Sequence, residues 1–134
     1  MTFSKSTLYA LYAALEMTTA DQPVTVGSVA ERFGLPPGAL AKVFQQLVRS
    51  GLARGVRGIG GGYVLAKPPA DITVLDVLSV FDTTQENGHL LLGERSEAAR
   101  AQPADARLSR LFDEVAEVVS STFASVTLET LASS

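Results

Sequence analysis

Cations and bare backbone amides crowd residues 42–63 of this 134-residue chain, and they are the groups best suited to chemistry. Lys42, Gln45, Gln46 and Arg49 are spaced so that a helix would carry them away from its apolar side. Arg54 and Arg57 follow, and then the run Gly58-Ile59-Gly60-Gly61-Gly62-Tyr63. Positive side chains beside glycine amides suit an anion, phosphate above all. A nucleotide is one source of phosphate, but the run does not complete the dinucleotide pattern, because Tyr63 stands where its last glycine belongs. No Walker Lys-Ser/Thr follows, and the next residues read as a strand, so the helix N-terminus of those motifs is missing. Taken singly, the glycines read as a plain hairpin turn and the polar residues as a solvated helix face. Their joint arrangement is more specific and points to a nucleic-acid backbone.

Other chemistries find no support. The chain has no cysteine, which excludes disulfides, thiol switching, thiolate zinc sites and cysteine-held iron–sulfur clusters, and no cofactor is expected. Its single histidine, His89, sits in a polar stretch and reads as a surface residue. There is no Gly-x-Ser-x-Gly elbow and no catalytic triad, so an enzyme is not expected.

The elements that must position these groups are mainly helical. Leu8, Leu11, Tyr12 and Leu15 recur at helical spacing and predict a first amphipathic helix over about 4–19. A second is predicted over about 26–33, with Thr25 as N-cap, Val26, Val29, Ala30 and Phe33 on one face, and Gly34 as its stop. Pro36 and Pro37 suit the start of a third, which runs to about Ser50 with Leu40, Val43, Phe44, Leu47 and Val48 as its apolar stripe. Two short helices about a tight glycine-containing turn fit a helix-turn-helix. Leu52 to Lys67 reads as two short strands around the glycine turn, a wing. Thr73 and Asp76 form a capping-box-like pair ahead of a short helix, Val74 to Asp82. Thr83 to Pro103 reads as a loop or partly ordered linker. A long helix follows from about Ala104, its acids Asp113, Glu114 and Glu117 forming a wet face, with a break near Val126 and Thr127 as cap of a last turn.

The fold class is therefore mainly α with a small β-hairpin wing. Residues 1–68 are expected to form a winged helix-turn-helix domain, and residues 69–134 a linker and dimerisation helices. Net charge is −3, yet residues 1–68 hold seven Lys or Arg against three acids and residues 69–134 hold four against eleven. The local field at a contact face decides attraction to DNA, so the basic half can bind while the acidic half stays in solvent. No apolar run approaches the roughly 20 residues of a membrane span, and the start lacks a signal-peptide pattern, so a cytoplasmic protein is expected.

Val29-Ala30-Glu31-Arg32-Phe33-Gly34-Leu35, Leu47-Val48-Arg49-Ser50-Gly51-Leu52 and, above all, the wing Val56-Arg57-Gly58-Ile59-Gly60-Gly61-Gly62-Tyr63-Val64-Leu65-Ala66 resemble the Rrf2 family of bacterial winged-helix repressors. That family includes the iron–sulfur cluster assembly regulator and the nitric-oxide-sensing repressor. Ile72 to Leu78 and Val126 to Leu131 match further family segments. The resemblance implies a homodimer on double-stranded DNA, with recognition helices in neighbouring major grooves and wings at the minor groove. Cluster-binding members carry three cysteines where this chain has Thr83 to Pro103 with none, so cluster sensing is not carried over. Gly38, Ala39 and Ala41 stand where relatives often place Ser, Tyr and Glu, which implies a different operator, with small apolar groups near thymine methyls. The expected DNA-facing set is Lys5 on the first helix and Gly38, Ala39, Lys42, Gln45, Gln46 and Arg49 on the third. Arg54, Arg57, Gly60, Gly61 and Tyr63 complete it from the hairpin.

Spacing alone places a dimer seam on the long helix. Leu108, Phe112, Val115, Val119, Thr122 and Val126 alternate intervals of four and three residues, the 3.5-residue repeat of a coiled-coil stripe. A monomer burying that stripe on its own domain is the competing reading. Isologous pairing sets two recognition helices one DNA turn, or a multiple of it, apart and predicts an inverted-repeat operator. The functional expectation is a homodimeric repressor, the alternative a winged-helix module that binds protein. An effector, small molecule or protein, is left open.

Overall fold

Ser4 starts the first helix by accepting the Thr7 amide on its hydroxyl at 3.2 Å, and α1 then runs Lys5–Thr19. The structure is a computed structural model that describes residues 3–82 and 93–134. The face that α1 buries is Thr7, Ala10, Ala13, Ala14 and Met17, not the predicted stripe of Leu8, Leu11, Tyr12 and Leu15. Alanines let neighbouring backbones approach closely, so the small face goes inward while Leu8 stays exposed and Leu11, Tyr12 and Leu15 are half-buried. Tyr12 stacks on Phe33 with ring centroids 4.6 Å apart.

The second helix, α2 (Val26–Phe33), opens on a capping box in which Thr25 and Ser28 satisfy each other's backbone amides. Gly34, at φ 64°, ends it in the left-handed conformation that favours glycine. Three residues later α3 (Pro37–Arg49) starts on a proline whose missing amide has no helical partner to lose. Leu40, Val43, Phe44 and Leu47 of α3 are buried, whereas Val48 is exposed. Strands β1 (Ala53–Val56) and β2 (Gly62–Leu65) pair antiparallel, with Ala53 opposite Leu65 and Val56 opposite Gly62. The fold is a winged helix-turn-helix, mostly helical with one hairpin.

Beyond a 3-10 turn at Pro69–Asp71, Thr73 and Asp76 form the expected capping box of α4 (Val74–Phe81). Of the predicted linker, residues 83–92 lie outside the described residues. The rest is more structured than expected: Ser96 caps a short helix α5 (Glu97–Arg100), and Arg95 Nη1 donates to both carboxylate oxygens of Asp105 and to Ser109. The long helix α6 (Pro103–Ser125) packs on α4, and Thr127 caps the final α7 (Leu128–Ala132). The chain then returns to the core built on α1 and α3. Leu128 N donates to Ile72 O at 2.9 Å, and both side chains join the core of α1 and α3, which is thus continuous across residue 68.

One polar contact ties the chain's two halves. Asp82 Oδ2, just after α4, accepts the Thr7 hydroxyl at 2.5 Å and the Ser4 amide at 3.2 Å at the positive end of α1. Thr7 is the only polar residue among the described ones that is buried. Asp82→Ala is expected to lower folding stability by about 1–2 kcal/mol, read as an earlier urea midpoint at unchanged slope. An unmoved midpoint would show that water replaces the carboxylate freely.

Candidate nucleic-acid interface

The outward side of α3 carries Gly38, Ala39, Lys42, Gln45, Gln46 and Arg49, all exposed. The stripe opposite is locked into the core by Leu40, Val43, Phe44 and Leu47, so the helix has no freedom to rotate this polar side away. Arg54 and Arg57 are exposed on the adjoining hairpin. None of Lys42, Arg49, Arg54 and Arg57 pairs with an acid among the described residues, which leaves four uncompensated cations there.

The hairpin is held rigidly against α3. Tyr63 donates its amide to Val24 O at 2.7 Å and accepts from Val24 N at 2.9 Å, which adds the loop before α2 to the sheet. Its ring stacks on Phe44 of α3, with centroids 4.6 Å apart and planes 23° from parallel. Tyr63 is therefore an anchor of the hairpin as well as a wall of the shallow cleft, about 330 Å³, that it lines with Gln45, Val48, Arg49 and Gly55. At the tip, Gly61 N donates to Gly58 O at 3.0 Å, and Gly60 adopts φ 76°. A Cβ on Gly61 would lie 2.2 Å from Val56 O, and one on Gly62 would lie 2.4 Å from Val24 O. Gly60 stays exposed, while Gly61 is half-buried and its value is steric closure of the turn. Gly62 was absent from the expected set although its place in the glycine run was visible. Lys5 is exposed in the first turn of α1, whose start is fixed to Asp82 and not to the hairpin.

The long helix presents a second candidate surface, shifted from the expected one. Ala116 is buried, and Phe112, Val119 and Phe123 beside it are half-buried, Phe123 meeting Phe3 edge-on at 5.9 Å. Two of the six expected seam residues thus turn toward their own chain, and Val126, beyond the helix end, gives its carbonyl to Val74 N. The exposed apolar line is Leu108, Leu111, Val115 and Val118, the last 66% exposed, continuing to Thr122. Leu111 and Val118 were not in the expected seam, yet the new line keeps intervals of three and four.

The sequence profile of the Rrf2 family, described as an iron-dependent transcriptional regulator, matches residues 3–134. A protein named as HTH-type transcriptional regulator BadM, from Rhodopseudomonas palustris, is 33% identical over 132 residues, which cover 98% of this chain and 81% of that one. The HTH-type transcriptional regulator IscR of Photorhabdus laumondii is 37% identical over 76 residues, 55% of this chain and 46% of its own. Among solved structures, CymR, the global cysteine regulator of B. subtilis, superposes with TM-score 0.80 at 27% identity, covering 99% of this chain and 97% of its own. The iron of the family description does not fit thiolate ligation here. The chain has no cysteine, no group of three or more His, Asp or Glu side chains among the described residues is placed to hold a metal, and His89 lies outside them.

Proposed function

The chain belongs to the Rrf2 family of DNA-binding transcriptional regulators, and from that premise we propose that it is a homodimeric repressor reading an inverted-repeat operator. The observation that carries this reading is the exposed, uncompensated cationic side of α3 joined rigidly to a basic hairpin through Phe44 and Tyr63. A dimer on α6 repeats that surface and so matches a two-fold operator. Binding, not catalysis, is its activity, and it works in the cytoplasm with the DNA. Gly38 and Ala39, with no side chain longer than a methyl group, let the start of α3 approach base edges closely, which suits contact with thymine methyls. Control by a small molecule, by a partner protein or by no ligand at all is compatible with this reading, and none of these runs through a cysteine-held cluster.

Anisotropy titrations on the duplex selected from a random pool test this reading. Affinity is expected to fall steeply with salt, because each neutralised phosphate releases counterions. Lys42→Ala should weaken binding by about 1–3 kcal/mol and relax preference at one position if Lys42 reads a base. Arg57→Ala should weaken all duplexes alike and lower the salt slope by about one. A flat salt dependence, with neither substitution altering affinity, would instead favour a winged-helix module that binds protein.

A further inference from the structure

The tip of the hairpin carries one side chain that none of the described residues shields. Ile59 is 109% exposed, more than any other large apolar residue among those described, and has a glycine on each side. A lone exposed apolar residue is ordinary, so exposure by itself decides nothing. What separates Ile59 from Leu8 or Leu131 is that its backbone is fixed and its neighbours are cationic. The turn from Gly58 to Gly61 is closed by a hydrogen bond of 3.0 Å, and Gly61 has no room for a Cβ that would let the turn be rebuilt. Isoleucine is itself stiff at χ1, so the tip loses little freedom on entering a groove. Arg57 stands two residues before it and Arg54 on the adjoining strand, both exposed.

We propose that Ile59 is a specificity-determining residue that enters the minor groove and selects A·T over G·C at the base pairs beneath the hairpin. The inference rests on the DNA-binding reading above. Guanine differs from the other bases in this groove by its 2-amino group, which projects from the groove floor as a hydrogen-bond donor. A branched aliphatic group pressed onto it meets the amino group sterically and strips its water without offering an acceptor. An A·T floor has no such projection, and apolar side chains are a recurring means of entering it. The arginines of the hairpin, Arg54 and Arg57, add sequence-independent attraction to the phosphates that border the groove. Ile59 thus supplies the discrimination, and the arginines supply the attraction.

Inosine separates this reading from any major-groove effect, because I·C keeps the major-groove edge of G·C and lacks the 2-amino group. Sites are first selected from a random duplex pool by the unaltered protein, and affinities are then measured with the A·T pairs under the hairpin changed to G·C or I·C. G·C is expected to weaken binding by about tenfold and I·C to restore it. Ile59→Ala should bind the A·T duplex less tightly, reduce that discrimination to less than about threefold, and keep the preferences beneath α3. Ile59→Leu should retain most of the discrimination. Equal thermal midpoints for the three proteins would exclude a folding cause, and they are expected because Ile59 is fully exposed among the described residues. An undiminished A·T preference in Ile59→Ala, equal losses with G·C and I·C, or no preference in the unaltered protein would each overturn the proposal. Absence of any salt-dependent duplex binding by the unaltered protein is a different result, and it removes the DNA-binding reading together with this one.

Discussion

Val115→Asp combined with Val118→Asp is expected to give a folded monomer whose affinity for its operator is lower by more than about a hundredfold. Both side chains are exposed on α6, so the substitutions disturb no core of the single chain. In a dimer built on this face the two aspartates would be buried opposite their symmetry copies, and unpaired buried carboxylates oppose association strongly. A monomer engages one half-site and loses the gain from having the second already held nearby. Sedimentation reads the oligomeric state, near-native circular dichroism shows that the fold persists, and anisotropy reads the affinity. Val119→Asp is the contrasting variant. Its half-buried side chain lies on the side of Ala116, so it should lower the thermal midpoint as well. A monomeric unaltered protein at micromolar concentration would remove the dimer proposal.

Phe44→Ala is expected to destabilise the fold by about 3–5 kcal/mol, a large part of the stability of an ordinary domain. The ring has 0% exposure within α3 and supports the ring of Tyr63 above it. Its removal leaves a cavity under the recognition helix and takes away the ring on which Tyr63 of the hairpin stacks. Phe44→Leu keeps most of the volume and should cost about 1.5 kcal/mol or less. Urea unfolding gives both values. If Phe44→Ala costs under about 1 kcal/mol, the ring stack is not what fixes the hairpin to the helix.

The residues that begin and end helices were legible in the sequence because each acts within about four positions of itself. Thr25, Gly34, Pro37, the Thr73 and Asp76 pair and Thr127 all stand at the expected boundaries. The polar side of α3 and the glycine turn were legible for the same reason: helical periodicity and the need for bare glycines are local properties. Which apolar stripe a helix buries is not local. On α1 the leucine stripe was the more hydrophobic, yet the alanine face lies inward because three elements, α3, α4 and α7, approach that helix closely. On α6, Phe112 and Val119 share one 3.5-residue repeat with Val115, while Leu111 and Val118 share another, and periodicity cannot rank them. The contact with α4 decides it, drawing in the side of Ala116 and leaving Leu108, Leu111, Val115 and Val118 outside. Tyr63 was read as a DNA contact, and only the fold showed its ring on Phe44 and its backbone on Val24. The bond from Thr7 to Asp82 spans 75 positions, a distance over which no sequence pattern specifies a partner and only packing brings the two groups together.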